Sequence, residues 1–505
     1  MRDVVVVGAG PAGLAAARAA ASAGALVTLL DAADGLGGQY WRHLPAERPA
    51  GREGLLHHKW ATFGELSDVL REHPAVTVLP SAQVWSLERH DGGIRLNILV
   101  GEPDGAGRQA LVLEPDALVL ATGAHDRTLP FPGWQLPGVY SAGAAQALAK
   151  GERVAVGRRV VVAGAGPFLL PVASSLLQTG ATVVGVHEAG RIGSLARGWL
   201  NRPWELAGAA GKAGELAGYV GDLLRHRVRW RPGEAVVAAH GDGQVDAVTV
   251  ARLDERWAPV AGTERRVEAD AVCVSHGFTP RLELAIAAGC DLSSSRFVLV
   301  DDTQATSVRG VWAAGEITGI GGADAALAEG TVAGTAAAGG NAGTGTARAA
   351  LRARSRARGF AARIEAAHGI RPGWTGWLRD DTVVCRCEET TYGRVREVVE
   401  LTGSHEARSV KLTSRAGLGP CQARMCGRTL QELLDGPGAR GRAAGGVEGG
   451  PAPTVDRRPF VVPVRLGELA ALPATSTSRT ATSRTASALP TASFPSASQP
   501  GGDRT

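Results

Sequence analysis

The sequence predicts an α/β protein built on two Rossmann-like βαβ units, followed by a small helical domain and a disordered tail. Three observations carry that expectation. A valine run ends in Gly8-Ala9-Gly10-Pro11-Ala12-Gly13, a second run ends in Gly164-Ala165-Gly166, and four cysteines crowd into residues 385–426. The 505 residues allow roughly three domains at about 150 residues each. The composition is that of a globular chain, 44% hydrophobic and 20% charged, but its 69 glycines are about double ordinary usage.

Charge excludes one class of partner. The 54 basic and 49 acidic residues leave +5, too little on this length for a nucleic-acid footprint. Arginine dominates the basic residues; the lysines are Lys59, Lys150, Lys212 and Lys411. Six arginines between Arg348 and Arg363 read as a solvated connecting helix. No apolar run is long enough for a transmembrane segment. Met1-Arg2-Asp3 leads straight into valines without a charged leader and cleavage site, which predicts a cytoplasmic protein. In that reducing setting six cysteines point to metal or redox chemistry rather than disulfides.

The elements follow in order. Val4–Val7, the glycine turn, an alanine-rich helix through Ser22 and Leu26–Leu30 make the first βαβ unit, which begins a domain over 1–150. Val160–Val162, the second glycine turn, a helix through Gln178 and Thr182–Val186 repeat it within 151–275. Alternating stretches between Asp242 and Glu268 read as strands, as do Asp270–Val274 and Gly310–Ala314. Residues 276–345 return to the first domain, and Ala336–Gly345 reads as a helix end and linker. A linker helix is expected over 346–373, the cysteine domain over 374–435, and an extended segment and disordered tail over 436–505, rich in Ser, Thr and Pro after Ala471.

The first glycine run is a dinucleotide fingerprint. Gly8 permits the tight turn, Gly10 lets backbone reach a pyrophosphate, and Gly13 lets helix and strand pack closely, with Pro11 and Ala12 opening the helix. The helix N-terminus faces the phosphate charge, and Asp31 ends the next strand where a carboxylate accepts ribose hydroxyls. Four further stretches resemble flavoenzymes with two dinucleotide-binding domains. Gly37-Gly38-Gln39 is similar to the loop along the ribityl chain, and the strand ending Ala121-Thr122-Gly123 to the turn touching FAD before the crossover. Gly315-Glu316 resembles the turn whose acid binds the ribityl hydroxyls, and Gly322-Ala323 the helix start beyond it. The family usually has Asp at position 316, so the extra methylene of Glu316 must retract.

The second fingerprint departs from the pattern. Leu169 replaces the third glycine, which would push helix and strand apart and change the phosphate geometry. Glu188 would suit a ribose diol. Whether NAD(P) or ATP occupies this unit, or the fold survives without a nucleotide, stays open. Cys273 and Cys290 are too far apart for a paired redox dithiol and read as buried hydrophobes. His57 and His58 read as surface residues and His276 as a structural histidine; the catalytic residues are unknown.

Cys385-x-Cys387 and Cys421-x4-Cys426 can ligate both irons of a [2Fe–2S] cluster, two thiolates per iron. Gly417, Gly419 and Gly427 would let backbone N–H groups approach the sulfurs. The rival is structural zinc on the same four thiolates, although C-x-C is cramped for one tetrahedral ion. Asp380 to Glu389, with Gly419 to Gly427, resembles the bacterioferritin-associated-ferredoxin-like [2Fe–2S] domain. It resembles most the version fused to FAD domains in alpha-type subunits of opine oxidases, hydrogen cyanide synthase and D-hydroxyproline dehydrogenase. Phe131-Pro132-Gly133-Trp134 and Leu136-Pro137-Gly138-Val139 are similar to that family's crossover loop. The resemblance implies FAD, [2Fe–2S] and an electron-transfer role for the chain. In that family a beta-type FAD-bearing dehydrogenase subunit oxidises a D-amino acid, hydroxyproline or opine-type secondary amine. Further candidates are an FMN at an interface between subunits and a small ferredoxin-like subunit. The alternative is a self-contained NAD(P)H-dependent FAD reductase that releases single electrons through the cluster.

Overall fold

The structure, a computed structural model, describes residues 1–45, 47–48, 53–201, 210–436, 458 and 460–470. β1 (Asp3–Val7), α1 (Pro11–Ser22) and β2 (Leu26–Leu30) open the chain as a βαβ unit. α2 (Glu53–Leu56), α3 (Trp60–Glu72) and β3 (Val76–Leu79) extend it. β4 (Ala82–His90), β5 (Gly93–Val100) and β6 (Gln109–Leu113) form an antiparallel sheet before β7 (Ala117–Leu120) and β8 (Ala124–Asp126). The second unit comprises β9 (Val139–Ser141), α4 (Ala142–Gly151), β10 (Arg159–Gly164), α5 (Leu169–Gln178), β11 (Thr182–Glu188), α6 (Ile192–Leu200), α7 (Ala210–Arg225) and β12 (Trp230–Pro232). An antiparallel sheet of β13 (Glu234–His240), β14 (Ala247–Arg252) and β15 (Arg265–Glu268) precedes β16 (Ala271–Ser275). β17 (Phe278–Pro280), α8 (Glu283–Ala288), β18 (Val311–Ala313) and α9 (Gly322–Ala337) return to the first unit, and α10 (Gly345–His368) leaves it. After a 3-10 turn at Pro372–Trp377 come β19 (Val383–Cys385), β20 (Thr390–Thr391), α11 (Tyr392–Thr402), α12 (Ala407–Ser414) and α13 (Gly427–Asp435). α14 (Leu466–Ala470) belongs to a separate unit beginning at Val464.

Two parallel sheets organise the molecule, in the orders β18-β7-β1-β2-β3 and β12-β11-β10-β16-β9. Their central strands are buried on both faces, which is why they read as unbroken valine and leucine runs. The β4–β6 sheet has no clean alternation in sequence, because the β4–β5 register shifts between Val84 and Ser86 and leaves Val84, Trp85 and Ser86 all buried.

The first unit is closed by backbone approach rather than by large side chains. A Cβ at Gly13 would overlap the Gly8 carbonyl, and one at Gly330 or Gly334 would overlap the carbonyls of Ala12 or Ala16. α1 is thereby clasped between the β1 turn and α9. Beside this stripe, the buried Glu329 carboxylate accepts the Gly315 N–H at 2.9 Å and the Thr318 hydroxyl at 2.7 Å.

α10 is only in part the solvated helix expected from its arginines: Arg348, Arg352, Arg356 and Arg358 are exposed, but two are not. Arg354 and Arg363 are only 6% exposed. Arg354 donates to Gln304 Oε1 (2.8 Å) and Asp302 O (2.9 Å), and Arg358 Nε donates to Glu329 Oε1 (2.9 Å). These guanidiniums satisfy buried acceptors on the returning segment, a tertiary role that a charge pattern along one helix does not display. Farther along, α6 passes α10 so closely that a Cβ at Gly198 would overlap the Ala367 backbone. The tail expected after Ala471 lies outside the described residues, and no described helix is long and apolar enough to cross a membrane.

Gly330→Ala and Gly334→Ala should each lower stability by about 1–3 kcal/mol through overpacking. Gly218→Ala, on an exposed turn of α7 with open space around it, should instead raise stability by about 0.5–1 kcal/mol. Thermal or urea denaturation of the three variants checks this; equal responses would mean that α1 and α9 do not approach as described.

Candidate functional site

One cavity of about 2440 Å³ lies at the carboxyl ends of the strands of both parallel sheets, larger than the usual 300–1,000 Å³ of a single ligand pocket. It is lined by Gly8, Gly10, Pro11, Ala12, Asp31, Gly38 and Gln39. Ala121, Thr122, Gly123, Gly315, Glu316, Gly322 and Ala323 complete that wall. Of the residues expected around the flavin, Gly13 stays outside, spent on the close packing beneath Gly8, and so does Gly37, which packs against Trp41 and Phe63.

The geometry suits a dinucleotide. Gly8 takes φ +104°, which L side chains rarely adopt, and a Cβ there would press on Ala121. A Cβ at Gly10, by contrast, would meet nothing within 4 Å, so bare backbone faces open cavity. The N-cap residues of α1 and α9 are the glycines Gly10 and Gly321, which have no side chain to cap the helix N–H groups turned toward the cavity. Asp31 accepts the N–H groups of Ala9 (2.5 Å) and Ala33 (2.8 Å). Burial pushes its carboxyl up, against the pull of those two donors and of Arg281 and Arg42. Glu316 accepts the Gly322 N–H; burial pushes its carboxyl up to about 7, with the Glu329 charge adding to the rise.

The second unit is built differently at the corresponding turn. α1 begins one residue after Gly10 and closes an α-type bond from Leu14 N to Gly10 O (2.9 Å). α5 begins only at Leu169, after tighter bonds from Leu169 N to Gly166 O (3.3 Å) and Leu170 N to Pro167 O (3.2 Å). The helix starts later, and Leu169 is buried with Val160, Val162 and Val172. Glu188, expected to face a ribose, is 2% exposed and accepts Gly166 N and Gly190 N, both at 2.9 Å. His368 Nδ1, at the end of α10, stands 3.3 Å from the same carboxylate, and Trp199 Nε1 donates to His368 Nε2 at 3.1 Å.

The four cysteines converge. Sγ of Cys387 lies 3.9 Å from Cys385 and 3.7 Å from Cys421, and the Cys426 thiol bonds to Cys385. That last bond, with the Gly417 and Glu388 N–H groups, holds the Cys385 thiol below its usual value and pushes that of Cys426 up. Gly417 N reaches Cys385 Sγ at 3.3 Å, and a Cβ at Gly419 would come within 2.5 Å of Cys387 Sγ. Gly427, expected to help, instead gives its N–H to Ala423 O (2.7 Å). The donor set and the bare backbone around it fit a thiolate-ligated cluster. Cys385 and Cys426 are buried, and Cys387 is exposed.

Contacts invisible in the sequence join the cysteine domain to the flavin-type unit. β8, immediately after the Ala121-Thr122-Gly123 turn, presents His125 Nε2 to Arg424 O at 3.3 Å, and buried Arg127 pairs with Glu432. Arg424 in turn donates to Glu283 Oε1 (2.8 Å) and Cys421 O (3.0 Å). Trp134 Nε1 donates to Val383 O, and the Arg386 guanidinium lies 5.2 Å over the Trp134 ring. Cys421 and Met425 line the same cavity as Gly10.

The histidine expectations divide. His276 is buried between Trp257 and Trp377, and burial pushes its imidazole down to about 3. It is neutral, and Nδ1 accepts the Leu129 N–H (3.3 Å). His57, expected at the surface, is 3% exposed with its ring nitrogens on Glu53 O (3.0 Å) and Arg42 O (2.5 Å). Cys273 and Cys290 are buried among apolar residues.

Residues 2–330 match the pyridine nucleotide-disulphide oxidoreductase family, and residues 383–436 match the BFD-like [2Fe-2S] binding domain. An opine oxidase subunit of Rhizobium meliloti is 33% identical over 94% of this chain and 88% of its own. Hydrogen cyanide synthase subunit HcnB of Pseudomonas aeruginosa is 33% identical over 84% of this chain and 90% of its own. The crystal structure of L-proline dehydrogenase from P. horikoshii shares the fold, with TM-score 0.63 and 19% identity over 93% of this chain and 79% of that one. The chain therefore belongs to the pyridine nucleotide-disulphide oxidoreductase family, as a FAD-dependent oxidoreductase that carries a BFD-like [2Fe–2S] domain.

Proposed function

We propose that this chain is the flavin and iron–sulfur electron-transfer subunit of a heteromeric dehydrogenase. Its partner, a FAD-bearing subunit, would oxidise a D-amino acid, hydroxyproline or opine-type secondary amine. The observation that carries the reading is that one cavity is lined both by the glycine cradle of the first unit and by Cys421. The names of the relatives, each a subunit of a larger enzyme (opine oxidase and hydrogen cyanide synthase), support a multi-subunit assembly. A bound flavin takes electrons in pairs and gives them up singly, and a [2Fe–2S] centre accepts one at a time.

The chain's own residues provide binding and fixed geometry. Gly10 and the α1 N-terminus would take the pyrophosphate, Asp31 the adenosine ribose, Glu316 the ribityl hydroxyls, and the α9 N-terminus the carbonyl edge of the ring. Cys385, Cys387, Cys421 and Cys426 would hold the cluster. The β8 contacts keep the two sites in one register. In the second unit the late start of α5 and the Glu188–His368 pair speak against nicotinamide as the electron donor.

Purified protein should carry FAD non-covalently, and Gly10→Val should reduce flavin content about tenfold or more by blocking backbone approach. Because that side chain points into open space, the flavin-free melting temperature should not change. Anaerobic metal analysis should give about two irons and two acid-labile sulfides per chain. Cys426→Ser should remove both while sparing the flavin, and one zinc without iron would establish the structural alternative. In stopped-flow mixing under argon, micromolar NADH should not bleach the flavin rapidly; if it does, the chain is a self-contained reductase. Amine substrate should bleach it only with the partner subunit present, and bleaching without the partner would refute the division of labour.

A further inference from the structure

The chain has 54 basic residues and only four lysines, yet two of those four, Lys150 and Lys212, line the cavity. Lys59 and Lys212 share the Asp324 carboxylate at the start of α9, and Lys212 is also paired with Glu215. Lys150, on the last turn of α4, has no such partner. It is 7% exposed and lines the cavity. Its Nζ does not turn back to the carbonyls of its own helix; it reaches Tyr40 O at 3.5 Å, in the loop that follows Gln39.

A second cation is anchored by its stem at the same helix end. The Arg42 side chain also lines the cavity and packs its stem against α4 at Gly151, where a Cβ would lie 3.1 Å from Arg42 Cγ. Arg42 Nε is buried without a hydrogen-bond partner. The nearby carboxylate, Glu53, is taken by Arg153 (2.5 Å) and His57 (3.1 Å). Among the described residues, no carboxylate pairs with Lys150 or Arg42. Burial, with Arg153 nearby, accordingly pushes the Lys150 amine down to about 8. Arg42 feels the Asp31 carboxylate across the cavity wall, but the buried Lys150 ammonium has no paired carboxylate, which is costly unless an anion completes it.

We propose that Arg42 and Lys150 form an oxyanion subsite in the cavity, taking a phosphate or carboxylate group. The lysine supplies a compact point charge and the arginine a planar donor edge, the combination that phosphate and carboxylate oxygens use. Two sources share this chemistry, the pyrophosphate of the flavin itself and a separate anionic ligand. The subsite stands on geometry and does not require the electron-transfer role.

Inorganic phosphate, titrated calorimetrically into the full-length protein with and without flavin, tests the proposal. Lys150→Met and Arg42→Met are compared with the unmodified chain, with melting temperatures as the folding control. If the flavin pyrophosphate is the occupant, the flavin-free protein binds phosphate and the FAD-loaded protein does not. Each variant then weakens both phosphate and FAD binding about tenfold or more. If a separate anion is the occupant, the FAD-loaded protein still binds phosphate, the variants lose it about tenfold, and FAD affinity is unchanged. The proposal is overturned if both variants bind phosphate and FAD within about twofold of the unmodified chain. Should Lys150→Met fail to fold, the half-buried Arg42→Met decides alone. A chain that takes up no FAD at all refutes the flavin reading, while phosphate binding still reports on the subsite.

Discussion

The lack of side-chain atoms at Gly13, Gly330 and Gly334 is the constraint on which the rest of the site depends. It lets α1 lie against the β1 turn and lets α9 lie against α1 at backbone distance. Two helix N-termini then open onto the same cavity, each with a glycine as its N-cap residue. The same contact places Glu329, next in sequence to Gly330, where it holds the Gly315 turn and receives Arg358. A close-packing stripe and a buried polar network are thus one device. A methyl group in the stripe would disturb the turn that presents Glu316.

The cysteine domain is held by directional contacts as well as by an apolar cluster in which Trp374, Trp377 and Leu433 pack with Leu129 and Trp257. The Arg127–Glu432 pair, the Arg424–Glu283 pair and the Trp134 bond to Val383 are charge-assisted or enclosed, and each fixes an orientation as well as a distance. Breaking one would leave a buried polar group unsatisfied, so the domain is expected to dock in one register or not at all. That rigidity suits two redox sites that must keep a constant separation.

Much of this was legible in the sequence, for identifiable reasons. Strands buried on both faces read as valine runs, and backbone approach reads as glycine at Gly8, Gly10 and Gly13. Ligation reads as cysteine spacing, because each thiolate must reach one small centre. The illegible parts are those decided by distant residues. Arg354 looked solvated because its acceptors, Asp302 and Gln304, are remote in sequence. His57 looked exposed because Arg42 covers it from another loop. Leu169 was correctly read as a departure from the fingerprint. The β4–β6 sheet was hidden by a bulge that breaks the period-two signal at Trp85.

α10 has a mechanical consequence. At 24 residues it is about 36 Å long. Its middle is bolted to the first unit by Arg354 and Arg358, and its end to the second by Ala367 against Gly198 and His368 against Trp199 and Glu188. A swivel of one unit on the other would have to shear those fastenings together. The helix is therefore a brace, and a scheme in which a donor domain rotates in to deliver its load meets a stiff frame. Traffic through such a molecule favours short hops between stationary stations over the swing of a hinged arm.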